Sequence, residues 1–259
     1  MIKVKFLIIA ALVASLAAVK PATKPTLYLI GDSTVKNGSG KGADSLWGWG
    51  TVLPQFFDTT KISIENHAIG GRSSRTFLTE GRWEKVLAKL KKGDYVIMQF
   101  GHNDGGAIND TLRARGTIKG VGTETEEIDN LITKKHEIVH TYGWYMRKYI
   151  NEAKAKGAIP IVCSPVPRNI FKGGKIEIPE TGYNVWAEQV ALSNGAGFID
   201  LYKIVARNYD AIGQERVKNE FFIQKDHTHT TKAGAEVNAK SVTDGIRLLK
   251  KSDLKNYLL

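Results

Sequence analysis

The sequence predicts an α/β protein with three layers, in which helices cover both faces of a central parallel sheet of five strands. Five short apolar runs are continuous rather than alternating, which is typical of parallel strands buried on both faces. Helical stretches lie between the runs, and this alternation of strand and helix favours a parallel sheet. The chain has 259 residues, and we expect residues 25–259 to form one domain.

Each element follows from a local pattern of residues. The five strands are expected at residues 27–30, 62–66, 95–100, 159–163 and 198–201. Amphipathic stretches predict helices at 83–92, 142–156 and 233–251. Gly93 and Gly157 follow the first two helices as terminators, and Thr230 or Thr231 can cap the start of the third.

Two long segments interrupt this alternation, at residues 105–141 and 168–184. Both are rich in glycine, charge and turn-forming residues, and loops of this length are usually functional or disordered. Residues 126–140 form a helix-like run, so we expect the first segment to be partly ordered. Ligands of such folds bind beyond the carboxyl ends of the strands, and both segments should overhang that edge.

The first 20 residues have the features of an export signal rather than of the fold. Lys3 and Lys5 precede a short apolar region of small and aliphatic residues. The apolar stretch is shorter than the roughly 20 residues that span a bilayer, and a retained membrane anchor is the alternative. We expect a secreted or periplasmic protein without stable membrane insertion.

Composition excludes some classes of protein and leaves others open. Hydrophobic residues make up 42% of the chain and charged residues 24%, as in ordinary globular proteins. The single cysteine, Cys163, excludes an intramolecular disulfide, and its apolar surroundings predict a buried, inert thiol. The net charge of +11 suits an acidic polysaccharide, an anionic lipid or nucleic acid. Export disfavours nucleic acid, and a solvated basic surface without a particular partner stays possible.

Short polar motifs follow the first three predicted strands, and a fourth precedes the last helix. In sequence they are Gly-Asp-Ser-Thr at 31–34, Asn-His-Ala-Ile-Gly-Gly-Arg-Ser at 66–73, Phe-Gly-His-Asn-Asp at 100–104 and Asp-His-Thr-His at 226–229. Each alone is also a good turn sequence. Together, in this order and at these strand ends, the four motifs indicate a catalytic site much more specifically than any one of them does.

The four motifs resemble those of the SGNH (GDSL-like) hydrolases, which are named for the Ser, Gly, Asn and His of successive blocks. The matching residues here are Ser33, Gly71, Asn103 and His229. One departure is Thr34, which stands where the GDSL label has leucine. The motifs look most like those of the rhamnogalacturonan acetylesterase branch, which removes acetyl groups from pectin. The resemblance implies a flavodoxin-like sandwich.

The chemistry of these residues agrees with the resemblance. A serine hydroxyl needs a base, and a neutral histidine suits that role for Ser33. Asp226 lies three residues before His229, close enough to bind its ring and stabilise the imidazolium. The backbone N–H groups of Ser33 and Gly71 and the Asn103 amide would stabilise the oxyanion, as the family pattern also implies.

Other polar residues have weaker assignments. Arg72, Arg75 and His102 are candidate substrate-binding residues, although His102 could instead order its loop. We expect Asp32 to make structural hydrogen bonds, and His136 and His140 to lie on a helix surface. A His-x-His metal site at His227 and His229 is a rival hypothesis, but it leaves Ser33 and Asn103 without a role. Arg113, Arg115, Lys119 and Arg168 are further candidate partners for a carboxylate.

The expected function is a serine esterase that deacetylates a plant cell-wall polysaccharide, with rhamnogalacturonan the leading substrate. The sequence implies no cofactor or metal, an acetylated acidic polysaccharide as partner, and a monomer. Xylan, peptidoglycan and lipid or small esters are alternative substrates for the same residues. A carbohydrate-binding protein that has lost catalysis is an alternative of another class, and the intact residues Ser33, Asp226 and His229 argue against it.

Overall fold

A computed structural model of the protein describes residues 24–36, 45–223, 225–250 and 252–259. The predicted export signal, residues 1–20, lies outside these ranges. Within the described part of the chain, no helix is both long and apolar enough to cross a membrane.

The described residues form nine strands. They are β1 (Thr26–Gly31), β2 (Ser63–Asn66), β3 (Tyr95–Gln99), β4 (Thr125–Asp129), β5 (His136–His140), β6 (Ile159–Cys163), β7 (Phe171–Lys172), β8 (Lys175–Ile176) and β9 (Gly197–Ile199). Five of them form one parallel sheet in the order β2-β1-β3-β6-β9. These five strands are the ones that the apolar runs predict, so the predicted sheet is confirmed.

Helices and helical turns connect the strands. The α-helices are α1 (Trp49–Val52), α2 (Ser74–Thr79), α3 (Arg82–Leu87), α4 (Tyr142–Ala155), α5 (Tyr183–Ser193), α6 (Leu201–Ile212), α7 (Gln214–Arg216) and α8 (Lys232–Leu248). Leu53–Phe56 and Asp253–Tyr257 form 3₁₀ turns, and Val217–Phe221 forms a π-helical turn. Thr231 caps α8 by accepting the Gly234 N–H, as one of the two predicted caps.

The two faces of the sheet are packed by different helices. Leu27 and Leu29 of β1 point to one face and join a core with residues of α1, α6 and α8. Tyr28 and Ile30 of the same strand point to the other face and join a core with residues of α2, α3, α4 and α5. Alternate residues of a strand point to opposite faces, so continuous apolar runs are buried on both sides. The three-layer sandwich is therefore confirmed.

The predicted helix at residues 126–140 is wrong, because β4 and β5 form an antiparallel hairpin there. The turn is built by Asn130, whose Oδ1 accepts the N–H groups of Ile132 and Thr133. Lys134 then adopts a positive φ of 58°, which ends any helical path. His136 and His140 consequently lie on a strand, and the His140 ring stacks on Trp144 at 3.8 Å between ring centroids.

Arg75 binds this hairpin to α2. Its side chain is fully buried, and Nε and Nη2 donate to the two carboxylate oxygens of Glu137 at 2.7 Å each. Its Nη1 donates to the carbonyl oxygens of Ile108 and Gly116. The sequence expectation that Arg75 binds substrate is therefore contradicted, because a substrate has no access to this guanidinium.

We predict that Arg75→Ala lowers the free energy of unfolding by about 3–5 kcal/mol, because it leaves Glu137 and two buried carbonyls without their partner. Urea denaturation monitored by circular dichroism measures the change. Arg72→Ala is the matched control, since Arg72 pairs with Glu80 at the surface and its loss should cost within about 1 kcal/mol. Equal effects of the two variants would contradict a structural role specific to Arg75.

Candidate active site

Ser33 lies in the loop after β1, and hydrogen bonds of the adjacent residue Asp32 stabilise this loop. The Asp32 carboxylate is fully buried, and its Oδ1 accepts both the backbone N–H and the hydroxyl of Thr34 at 2.8 Å. The Asp32 carbonyl accepts the N–H groups of Val35 and Lys36. These contacts are the structural hydrogen bonds expected of Asp32, and they fix the backbone on both sides of Ser33.

A buried chain of hydrogen bonds links this loop to the next strand of the sheet. The Gln99 Nε2 at the end of β3 donates to the Thr34 hydroxyl at 2.6 Å. The Trp49 indole N–H donates to the Gln99 Oε1 at 2.9 Å, and both side chains are fully buried. The loop therefore depends on the strand that leads to Asn103.

Ser33, His229 and Asp226 form a continuous hydrogen-bonded row. The Ser33 Oγ lies 2.8 Å from Nε2 of His229, although 196 residues separate the two in sequence. The His229 Nδ1 lies 2.7 Å from Oδ2 of Asp226. With the proton on Nδ1, the ring donates to the carboxylate and its Nε2 is free to accept the serine proton.

Hydrogen bonds stabilise the ionised form of the Asp226 carboxylate. Burial raises its pKa, but the backbone N–H groups of His229 and Thr228 and the His229 ring outweigh this effect, and the net pKa lies below the ordinary range. Oδ1 takes both backbone N–H groups, which leaves Oδ2 for the ring. The sequence Asp-His-Thr-His thus folds into a turn that aims the second histidine.

His227 and His229 have different partners. The exposed His227 ring lies near Arg168, whose Nη1 also donates to the Thr228 hydroxyl. Thr230 accepts the Trp47 N–H on its carbonyl and donates its hydroxyl to the Trp47 carbonyl, which anchors the other end of the turn. Among the described residues, no group of three or more His, Cys, Asp or Glu side chains could hold a metal ion.

The three donors that the sequence predicts for an oxyanion each have a hydrogen without a partner among the described residues. Among the described residues, no hydrogen bond uses the backbone N–H of Ser33 or of Gly71. The Asn103 Nδ2 donates one bond to the Arg72 carbonyl at 3.0 Å, which leaves its second hydrogen free. The Ile69 N–H donates to the Gly31 carbonyl and so ties the loop of Gly71 to the end of β1.

The backbone conformation at position 71 also favours glycine. Its φ of 77° lies in the left-handed region, where a side chain is disfavoured. Any other residue would be strained here, and its Cβ would stand next to the donor.

The three candidate substrate-binding residues, Arg72, His102 and Arg75, have different surroundings. Arg72 bonds Glu80 and the Gly70 carbonyl, so its charge is paired. His102 lines a cleft of about 800 Å³, together with residues of both long segments. Its Nε2 is buried and lacks a hydrogen-bond partner among the described residues, and burial lowers the pKa of the ring. Arg75, as described above, is part of the core.

Asp104, the residue after Asn103, helps to hold the segment that follows β3. It is fully buried and accepts the N–H and the hydroxyl of Ser74. Burial raises the pKa of Asp104 to about 7, against the lowering effect of the Ser74 bonds. Its backbone carbonyl accepts the Thr117 N–H, which ties the first long segment to the end of β3.

The geometry agrees with comparisons to known proteins. The model of the GDSL-like lipase/acylhydrolase family matches residues 29–237, which contain every residue of the row and of the proposed oxyanion site. The chain belongs to this family.

Proteins of similar sequence include some named as rhamnogalacturonan acetylesterases. The chain is 34% identical over 226 residues to rhamnogalacturonan acetylesterase of Emericella nidulans, covering 87% of this chain and 86% of that protein. It is 32% identical over 228 residues to the probable rhamnogalacturonan acetylesterase YesY of Bacillus subtilis, covering 86% of this chain and 93% of the relative.

Two solved structures have a similar fold. A crystal structure of Bacillus subtilis YxiM aligns with a TM-score of 0.70 at 26% identity, over 88% of this chain. The chain spans 57% of that longer protein. The acetylxylan esterase Axe2 of Geobacillus stearothermophilus aligns with a TM-score of 0.55 at 19% identity, over 86% of this chain and 94% of Axe2, which supports the fold alone.

Some residues of this hydrolase site carried no recognisable signal in the sequence. Gln99 and Trp49 support the Ser33 loop, but a glutamine at the end of an apolar strand and a buried tryptophan do not identify their own partners. The contact of Arg168 with the turn of His229 joins residues 60 positions apart. A polar residue inside a buried strand, such as Gln99, was the one available hint, because buried polar groups need partners.

We predict that His229→Ala lowers kcat/KM for an acetate ester nearly as much as Ser33→Ala, by several orders of magnitude, because each removes part of one proton-transfer unit. His227→Ala is the matched control two residues away, and it should retain most of the activity. Hydrolysis of a chromogenic acetate by the three folded variants measures this. A more damaging His227→Ala would identify His227, and not His229, as the base.

We predict that Asn103→Ala lowers kcat about a hundred- to a thousandfold and changes KM much less, because its amide meets a charge that exists chiefly in the transition state. Steady-state kinetics on the same ester separate the two constants. An effect on KM alone would make Asn103 a substrate-binding residue instead.

Proposed function

We propose that this protein is an exported serine esterase that removes acetyl groups from rhamnogalacturonan. The observation that carries the chemistry is the row Ser33–His229–Asp226, with spacings of 2.8 and 2.7 Å, beside unused backbone N–H groups. The choice of rhamnogalacturonan as substrate is supported by the sequence identities of 34% and 32% to proteins named as a rhamnogalacturonan acetylesterase and a probable one. Export is supported by the basic and apolar residues at the start of the chain.

The reaction proceeds in two acyl transfers. The Ser33 Oγ attacks the acetyl carbonyl carbon while the His229 Nε2 takes the hydroxyl proton, and Asp226 stabilises the resulting imidazolium. The N–H groups of Ser33 and Gly71 and the Asn103 amide bind the oxyanion. His229 then protonates the sugar oxygen as its bond to the acetyl carbon breaks.

Deacylation repeats these steps with water. His229 removes a proton from the water molecule that attacks the acetyl-serine ester. The tetrahedral intermediate collapses, acetate leaves, and the proton returns to the Ser33 Oγ. Each proton therefore passes through the same imidazole nitrogen, which explains why one histidine is sufficient.

We predict that kcat/KM for acetylated rhamnogalacturonan falls steeply as salt is raised from 0.01 M to 0.15 M. The protein has a net charge of +11 and the polymer carries carboxylates, and the Debye length decreases from about 30 Å to about 8 Å over this range. A neutral chromogenic acetate should show almost no salt dependence, and acetylated xylan should fall between the two.

The substrate panel also separates the alternatives. Acetate release from rhamnogalacturonan by the wild type, abolished in Ser33→Ala, supports the proposal. A clear preference for xylan, or equal salt dependence of all three substrates, would remove the pectin assignment and keep the esterase chemistry. Absence of any acetate release from the folded wild type would favour a non-catalytic binding protein.

A further inference from the structure

Arg115 lies against two of the three segments that supply the proposed oxyanion donors, those of Gly71 and Asn103. Its Nη1 donates to the Gly71 carbonyl at 3.0 Å. A Cβ placed on Gly106 would lie 3.5 Å from its Cγ, and the Gly106 N–H bonds the Asn103 carbonyl. The side chain therefore lies against the loops that follow β2 and β3, which carry Gly71 and Asn103.

Among the residues that the structure describes, no carboxylate contacts the charge of Arg115. Arg72 is paired with Glu80 and Arg75 with Glu137, whereas the described residues give Arg115 no ion pair and one side-chain hydrogen bond, to a neutral carbonyl. Burial and the neighbouring Arg113 lower the pKa of the Arg115 guanidinium, and the charges of Asp32, Asp104 and Asp110 act in the opposite direction. A guanidinium has five N–H donors, and a partly buried one is stabilised by an anion.

Arg115 also separates two cavities. The cleft of about 800 Å³ is lined by Arg115 together with His102, Arg168 and Tyr183. A second cavity of about 440 Å³, on the side of Gly71, is lined by Arg115 together with Leu112 and other residues. Arg115 is the residue that these two cavities share, so a chain-like ligand that fills both must pass over its guanidinium.

We propose that Arg115 binds the carboxylate of a uronic acid in the substrate chain and thereby places a neighbouring acetyl group at Ser33. The inference rests on the proposed function and adds the residue that selects an acidic glycan. Arginine is suited to this role because its planar guanidinium can form two parallel hydrogen bonds with one carboxylate. The bond from Nη1 to Gly71 sets the distance between the bound carboxylate and the oxyanion site.

The test compares wild type, Arg115→Gln and a control, Arg207→Gln, which removes the same charge from the exposed face of α6. Three substrates are used: acetylated rhamnogalacturonan oligosaccharides, the same oligosaccharides with their carboxylates reduced to primary alcohols, and a chromogenic acetate. Circular dichroism verifies that each variant is folded, and Arg115→Lys replaces Arg115→Gln if the latter does not fold.

We expect Arg115→Gln to raise KM for the native oligosaccharide about ten- to a hundredfold, the range for loss of a hydrogen bond to a charged group. Its kcat should change by no more than about twofold. The variant should not distinguish native from carboxyl-reduced substrate. Its kcat/KM for the chromogenic acetate should fall much less than that for the native oligosaccharide, because loss of the bond to the Gly71 carbonyl affects all three substrates alike. Arg207→Gln should behave as the wild type on all three.

Two results would overturn the inference. Equal losses on all three substrates, expressed in kcat, would show that Arg115 only orients the Gly71 loop. An unchanged KM for the native oligosaccharide would place the carboxylate elsewhere.

Failure of the proposed function gives a different pattern. If the wild type cleaves the chromogenic acetate but not rhamnogalacturonan, deacetylated oligogalacturonate is tested as an inhibitor of the small ester. Competitive inhibition that is lost in Arg115→Gln and kept in Arg207→Gln would support the carboxylate site although the substrate differs. Absence of inhibition in the wild type would overturn it.

Discussion

The Ser33 loop depends on a buried chain of hydrogen bonds that runs from the Asp32 carboxylate through Thr34 and Gln99 to the Trp49 indole. Each member is polar and lies in or beside an apolar core, where an unsatisfied group costs free energy. These three bonds therefore form only when β1, β3 and α1 are correctly placed relative to one another. Together with the backbone bonds of Asp32, they hold the segment on both sides of Ser33, so the serine hydroxyl can meet a histidine from the far end of the chain.

The histidine is positioned by separate contacts that converge on the same edge. Asp226 uses one carboxylate oxygen for two backbone N–H groups and the other for the His229 ring, so one residue shapes the turn and orients the base. Thr230 and Trp47 exchange hydrogen bonds that attach this turn to the segment preceding α1. Because α1 also carries Trp49, the supports of the nucleophile and of the base meet in one short piece of chain. A proton-transfer row with spacings below 3 Å requires that rigidity.

Basic residues near the site divide into paired and unpaired groups. Arg75 is buried and its charge is compensated by Glu137, and Arg72 is compensated by Glu80. Arg115 makes a bond to a carbonyl and none to a carboxylate within the described chain. Net charge alone does not separate these roles, since all three residues count equally in a total of +11. Their partners, which come from distant segments, decide which charge is available to a ligand.

The sequence by itself determined the five parallel strands and the polar motifs at their carboxyl ends, because continuous apolar runs and turn residues act locally. It also indicated Ser33, Asp226 and His229 as residues of one site. The hairpin of β4 and β5 was mistaken for a helix, since its periodicity is ambiguous and the decisive bonds of Asn130 and the pair of Glu137 with Arg75 are not visible in a local pattern. Likewise, only the tertiary structure decided that Arg75 is buried and that Arg115 lies between two cavities. Local spacing determines which elements form, whereas burial and pairing of charges depend on contacts between residues far apart in the chain.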